Sequence, residues 1–494
     1  MSTEPLSASD GARAGAGIDS RMWRVLFVLI LGSLMSVLDT SIVNIALQSL
    51  SRDLHTTLSD VQWVVSAYLL SLAAVLPMTA WAARRIGAKR LFLGSILLFT
   101  VGSALCGLAT STGELIAFRI VQGVGGGMSV PVGQMILVRV SGPRNLARVM
   151  SAFSVPVMMA PVLGPLIGGL LLDNVGWRWI FYVNVPIGIV AVVAGLRQLP
   201  ADSKEDAGPF DMAGLALIAT GLVGLTYGLA EVGFSGGDLA HVVVPLVGGS
   251  ILVAGFVIRA LRMTQPLLDM RLYANQAFSA ASIITFGLGA ALFGSLILMP
   301  LYFQTVRHED ALYAGLLIAP RGLGAAAAAW IAGRMTDRVG AGITATIGAL
   351  ITTASTVPFV MLGAHTSYLI TSITLVFQGV GMGMSFTPAM TAAFRALRPA
   401  QVNDASTQLN ILMRVGGSIG TAILTVILQQ QLTHAGGVAS AEASAFATTF
   451  WWVIAISSVA VIPAVALIFI ERRRVPVSGS GDLAERAAHL TEVE

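Results

Sequence analysis

The sequence predicts an all-α polytopic membrane protein with fourteen transmembrane helices, arranged as two six-helix bundles plus two inserted helices. Three observations predict it: a series of long apolar runs, a one-sided distribution of basic residues, and an internal repeat at a near-constant offset.

The apolar runs come first. Of 494 residues, 55% are hydrophobic and only 11% are charged, whereas an average soluble domain carries about a quarter charged residues. Crossing a hydrocarbon core of about 30 Å takes about 20 predominantly apolar residues. Segments of that kind cover approximately 24–47, 60–83, 91–110, 113–138, 149–172, 179–199, 211–231, 241–262, 277–303, 311–333, 342–364, 367–389, 404–430 and 446–471. The first run follows a polar tail and is too long for a signal-peptide core, so it is expected to remain as an anchor.

Basic residues set the expected orientation. Of the 29 Lys and Arg, 23 fall in the tails and in the loops on the same side as both termini. The opposite loops hold only Arg52, Arg178 and Arg307, while Arg119, Arg321 and Arg414 lie inside spans. Positive residues mark the cytoplasmic side, so both termini are expected there, in a plasma (inner) membrane. The net charge of +4 therefore reads as a topology signal, not as a nucleic-acid surface.

The repeat divides the chain. Gln122-Gly123-Val124-Gly125 in the fourth run recurs as Gln378-Gly379-Val380-Gly381 in the twelfth, and Arg85-Ile86-Gly87-Ala88 recurs as Arg338-Val339-Gly340-Ala341. Gly164 of the fifth run matches the Gly416-Gly417 region of the thirteenth. Duplicated six-helix units are the architecture of rocking transporters, with a substrate site expected near the bilayer midplane between the halves. The boundaries follow: a tail 1–23, a first bundle 24–199, a linker 200–210, two inserted helices 211–262, a loop 263–276, a second bundle 277–471 and a tail 472–494. With tails this short, a sensor or scaffold role is not expected.

Few groups are available for chemistry. The two lysines, Lys89 and Lys204, stand in no phosphate-binding G-K-[ST] context. ATP hydrolysis is excluded, which leaves an ion gradient or facilitation, with no cofactor. Cys106 is the single cysteine, so neither an internal disulfide nor a cysteine-rich metal site is possible. No nucleophile–base set points to an enzyme. The six histidines lie in loops, at run edges or in the tail.

Among the acids, Asp39 sits deepest in a run. It follows Arg24 by 15 residues, about 22 Å along a helix at 1.5 Å per residue. An acid inside a membrane is costly and usually functional; the proton-coupling reading competes with a structural Asp held by Thr40 or Ser41. Arg119 needs acceptors in a span, and would either pair with Asp39 or lock helices through backbone carbonyls. Glycines 123, 125, 126 and 127 permit close helix approach. In the fifth run, Pro161 and Pro165 with Gly164, Gly168 and Gly169 suggest a bent, tightly packed helix. Arg321 beside Pro320, and Arg414 with Asn410 and Gln408, either line a substrate cavity or organise helices.

In their order, these motifs resemble the major facilitator superfamily, specifically its fourteen-helix drug:proton antiporters of the EmrB/QacA type. The resemblance covers about residues 22–471. Leu38-Asp39-Thr40-Ser41-Ile42-Val43-Asn44 is similar to that family's LDxTIVN signature, and Gln62-Trp63 with Tyr68-Leu69-Leu70 to its second helix. Arg119, Gln122, Gly123 and Gly125 resemble its RxxQGxG motif, and Gly164-Pro165 with Gly168-Gly169 the motif of exporters. Trp177-Arg178-Trp179-Ile180-Phe181 through Asn184 and Pro186 is close to its WRWIFxxNVPIG segment. The resemblance implies efflux of drugs or small amphipathic molecules in exchange for protons, a multidrug and antibiotic-resistance function. Asp39 and Arg119 are then the coupling pair; Asn44, Trp63, Tyr68, Gln122, Gln304, Arg321, Asn410 and Arg414 are candidate cavity residues. An adaptor protein is implied as a partner where the host has an outer membrane. A symporter or facilitator on the same fold is the alternative.

One departure stands out. The loop after the second run carries Ala80 and Arg84 where the family has Gly and Asp; the second copy, Gly333 through Asp337-Arg338, keeps the pattern. The acid ordinarily helps to latch one face closed, so more of the latching is expected from Asp337.

Overall fold

The computed structural model describes residues 19–202, 207–232, 239–435 and 439–474, all of whose regular elements are helical. Residues 1–18 and 475–494 of the expected tails, and 203–206 of the expected linker, lie outside the described residues. Thirteen helices among the described residues are long and apolar enough to cross a membrane. Large apolar side chains such as Leu196, Val244, Ile251 and Ile462 are exposed on them, as suits lipid and not water. The protein is a multi-pass membrane protein.

The chain divides into two compact units at Phe210/Asp211. In the first, α1 (Ser20–Ile45) and the short α2 (Leu47–Asp53) precede α3 (Leu58–Val75), which passes through a 3-10 turn into α4 (Thr79–Ile86). Then come α5 (Ala88–Leu108), α6 (Thr112–Asn174), α7 (Trp179–Tyr182) and α8 (Asn184–Gln198). Local signals set the helix starts: Thr57 accepts from Asp60 N, and Ser111 from Glu114 N, satisfying amide donors that a helix N-terminus leaves orphaned. The fifth expected span is the second of two helices joined in α6, a far arm separated from the near one by non-helical backbone at Gly142, φ +62°. Pro161 and Pro165 lie in that arm, with side chains outside the described residues.

In the second unit, α9 (Met212–Glu231) and α10 (Leu239–Arg262) pack on each other, and α9 also reaches α15. Asp211 caps α9 through Gly214 N at 2.8 Å and pairs with Arg259 of α10 at 2.9 Å. There follow α11 (Gln276–Leu301), α12 (Ala311–Val339), α13 (Ala341–Thr356), α14 (Tyr368–Arg395), α15 (Val402–Ala435) and α16 (Ala439–Arg474). Glycines form the seams. A Cβ on Gly324 would meet the Val376 carbonyl, one on Gly379 the Arg321 carbonyl, and one on Gly383 the Ala325 carbonyl, so α12 and α14 touch backbone to backbone. Gly289, Gly416 and Gly420 do the same between α11 and α15. In lipid, where apolar burial gives no drive for helices to associate, such close approach is what holds them.

Candidate proton-coupling site

Asp39 lies six residues before the end of α1 and is fully buried. Around it converge α3, α5, α6 and α8, and the glycine run of α6 is what lets them. A Cβ on Gly123 would stand 2.7 Å from the Tyr68 carbonyl of α3, and one on Gly125 would stand 2.5 Å from Phe99 N of α5. On Gly126 it would reach Ser36 Oγ of α1 at 3.0 Å. Three helices thus press against one stretch of α6, and that stretch carries Arg119 and Gln122.

The carboxylate is fully engaged. Arg119 Nη1 donates to Asp39 Oδ2 at 2.5 Å, Gln122 Nε2 to Oδ1 at 2.8 Å, and Asn184 Nδ2 to Oδ1 at 3.3 Å. Arg119 also donates through Nη1 to Gln122 Oε1 at 2.7 Å and through Nε to the Val64 carbonyl at 3.1 Å. Its guanidinium lies 4.0 Å from the centroid of the Tyr68 ring, a cation–π contact strengthened by the absence of water. Tyr68 is tied in turn to Ser36 through its hydroxyl. Asn184 is held by Ser103 Oγ at 3.1 Å, which donates to the Phe181 carbonyl. Charge, hydrogen bonds and orientation are all supplied from within the unit.

This arrangement corrects one alternative and merges two others. Thr40, one of the two neighbouring hydroxyls weighed, donates to Ser36 O on its own helix, while Arg119, Gln122 and Asn184 bind the Asp39 carboxylate. Arg119 pairs with Asp39 and also binds a backbone carbonyl, so both of its expected roles coexist. Asn184, Ser103 and Cys106, whose thiol faces Gln122 Oε1 at 3.6 Å, were absent from the expected site. An amide inside an apolar run was the available signal for Asn184.

The other candidates scatter. Asn44 and Gln304 are exposed, Gln304 within a π-helical turn Tyr302–Val306 that follows Pro300, and Trp63 is 44% exposed. None of the three belongs to the Asp39 cluster. Asn410 donates to Ser406 O of its own helix, and Arg414 is half-buried. Gln408 reaches the Asp269 carbonyl. Arg321 is buried beside Met382. In the far arm of α6, Gly164 packs on Ser41 and Gly168 on Ile42 of α1, one turn from Asp39; Gly169 is half-buried.

At the ends of the bundles, Arg84 is half-buried and Arg338 exposed. Asp337, a turn past the buried Gly333, pairs with Arg395 at 2.9 Å. Two further acids were missed. Asp202 accepts from Lys89 N at 2.7 Å and Arg90 N at 3.2 Å, at the N-terminus of α5. Glu471 accepts from Ala341 N at 3.2 Å and Gly342 N at 2.8 Å, at the N-terminus of α13. Both helices start after a glycine with positive φ, Gly87 at +97° and Gly340 at +95°. Each helix terminus, with its partial positive charge, receives a carboxylate from the end of its own unit's last long helix or just beyond it. Asp202→Ala and Glu471→Ala are each expected to lower stability by about 1 kcal/mol, read as the thermal midpoint of purified protein. Unchanged midpoints in both would dismiss the capping role.

Comparison with known proteins follows the same lines. The sequence model of the Major Facilitator Superfamily matches residues 29–421. A multidrug resistance protein B homolog of Mycobacterium tuberculosis is 39% identical over 86% of this chain and 79% of its own length. The tetracenomycin C resistance and export protein of Streptomyces glaucescens is 31% identical over 87% and 81%. The multidrug export protein EmrB of Haemophilus influenzae is 32% identical over 80% and 78%. Among solved structures, the proton:xylose symporter XylE superposes with a TM-score of 0.63 at 12% identity, covering 93% of this chain and 97% of that one. The human organic anion transporter MFSD10 gives 0.61 at 14%, covering 90% and 99%. At these identities the structural likeness is one of fold.

Proposed function

This chain belongs to the Major Facilitator Superfamily, and we propose that within it the protein is a secondary active exporter, moving drugs or other small amphipathic molecules out of the cell in exchange for protons. The observation that carries this reading is the fully buried Asp39 carboxylate bound by Arg119, Gln122 and Asn184. Three relatives named for multidrug resistance or for export support the direction and the substrate class.

The cluster suits proton exchange by alternating access. With Asp39 charged, its negative charge offsets the Arg119 cation and the core of the unit is closed. A proton on Asp39 removes the charge that holds Arg119, leaving the guanidinium to Val64 O and Gln122 Oε1, and loosens the joint among α1, α3 and α6. Protonation and substrate binding then bias one equilibrium in opposite directions, as linkage requires for exchange. The far arm of α6, packed on α1 through Gly164 and Gly168, is placed to sense such a change. The protein acts as a transporter and not as an enzyme, and the proton gradient is its energy source, with no cofactor. It belongs in the plasma (inner) membrane with both termini cytoplasmic, and in a host with an outer membrane an adaptor protein would extend its path.

The test is flux in proteoliposomes with an imposed pH gradient and a panel of lipophilic dyes and antibiotics. Uphill movement of substrate against the direction of proton flow is expected. Movement with the protons, or at a rate indifferent to the gradient, would refute exchange.

A further inference from the structure

The internal repeat extends to the polar core of the second unit, but with its acid missing. Gln378 stands 256 residues after Gln122, and the stretch 253 to 256 residues after Asp39, Leu292 to Ser295, holds no acid. There, Arg321, Gln378, Leu292, Met382, Thr352 and Ser457 line a cavity of about 10 Å³, roughly the space of one water-sized occupant. Arg321 is 5% exposed, and its guanidinium is left unsatisfied: Nη2 lies 3.2 Å from the thioether of Met382, a weak acceptor, while Nε and Nη1 have no partner. Ser457 Oγ and Gln378 Oε1 are also buried without a partner.

We propose that a monatomic monovalent anion of the halide class binds among Arg321, Gln378 and Ser457, taking the place in the second unit that the Asp39 carboxylate takes in the first. Charge is the first reason. An unpaired guanidinium away from water costs far more than an unmade neutral hydrogen bond, and neutral water supplies the bond but not the counter-charge. Geometry is the second. Nε and Nη1 on the two edges of the guanidinium, and the Ser457 hydroxyl, are each buried without a partner, so the ion can accept from the guanidinium edge that faces the cavity and from Ser457. Gln378 now donates through Nε2 to Thr356 Oγ1 at 3.2 Å, and Thr356 donates back to the Thr352 carbonyl of its own helix. Turning the amide over lets Gln378 donate to the anion and accept from Thr356, whose bond to Thr352 is accessory to the helix. Size is the third: a cavity of about 10 Å³ is near the minimum for one water, so only a monatomic ion can be fitted by a small movement of its lining, and a carboxylate attached to a larger molecule is excluded. The thioether of Met382, soft and adaptable, gives the small extra room that chloride needs over water.

The experiment is thermal unfolding of the purified full-length protein in sodium chloride, sodium bromide or sodium gluconate at equal ionic strength. A saturable rise of about 3 °C or more is expected with either halide and none with gluconate. Arg321→Met is expected to abolish the halide dependence, and Ser457→Ala to weaken half-saturation by about tenfold, the loss of one good hydrogen bond to an ion. Equal midpoints in chloride and gluconate, or a saturable halide shift that persists in Arg321→Met, would overturn the proposal. Should Arg321→Met not fold, Ser457→Ala decides it, since an unchanged half-saturation there also overturns it. The readout needs neither a drug nor a pH gradient, so its outcome is separate from that of the export reading.

Discussion

Replacing Asp39 by Asn should abolish gradient-driven transport while leaving the protein folded. The amide keeps the size of the carboxyl and can still accept through one oxygen, but it cannot gain or lose a proton. Coupling between two ligands on one equilibrium is worth about 1–3 kcal/mol, or 5–150-fold. Accumulation driven by a pH gradient should therefore fall on the order of 100-fold, towards the level without a gradient. Downhill exchange of labelled substrate should be much less affected. Asp39→Asn leaves the buried Arg119 cation without its counter-charge, held by Val64 O and Gln122 Oε1, and the reverse truncation strands the opposite charge. Arg119→Met strands the Asp39 carboxylate in a dry core, since Gln122 and Asn184 supply hydrogen bonds but no charge, and such removals cost about 3–5 kcal/mol. Restoring neutrality in the double variant Asp39→Asn/Arg119→Met should recover much of that stability without recovering coupling. Preserved gradient dependence in Asp39→Asn would show that the proton is carried elsewhere.

Gly379→Ala is expected to be the most damaging single methyl in the second unit. Its Cβ would overlap the Arg321 carbonyl and lie 2.8 Å from Ala325 N. Both are backbone atoms and have no rotamer to yield, so α12 and α14 must separate. Overpacking of this kind costs about 1–3 kcal/mol and sometimes more. The contrast is Gly94→Ala on α5, where a Cβ meets nothing within 4 Å and helix propensity favours alanine by about 1 kcal/mol. Thermal midpoints of the two variants should move in opposite directions. A Gly379→Ala protein as stable as the parent would mean that the glycine seam is not what holds these helices together.

Both predictions reach beyond what could be read along the chain, and the reason is specific. Asp39 was legible because an acid in an apolar run is rare and costly, and Arg119 and Gln122 because they break another run beside glycines. Asn184 stood only within the WRWIFxxNVPIG resemblance and was given no place in the site, although its amide interrupts an apolar run. Asp202 and Glu471 looked like ordinary acids at the ends of runs, although each holds a helix N-terminus more than a hundred residues away in sequence. Trp63, Asn44 and Gln304, expected to line a substrate cavity, are exposed, and which of them meet substrate is not written in the spacing of the runs.

By itself, then, the sequence determined the chain's character as a multi-span helical protein, its duplicated halves and its sparing use of charge, because length, apolarity and repetition are properties of the chain read locally. Tertiary structure alone decided which polar groups meet. Asp39 finds partners 80, 83 and 145 residues away, and the same packing leaves Arg321 beside a cavity where the first half has a carboxylate. In lipid an apolar face reads alike whether it meets tails or another helix, so hydropathy could mark the spans without saying which would touch; glycine seams and buried charge made that choice.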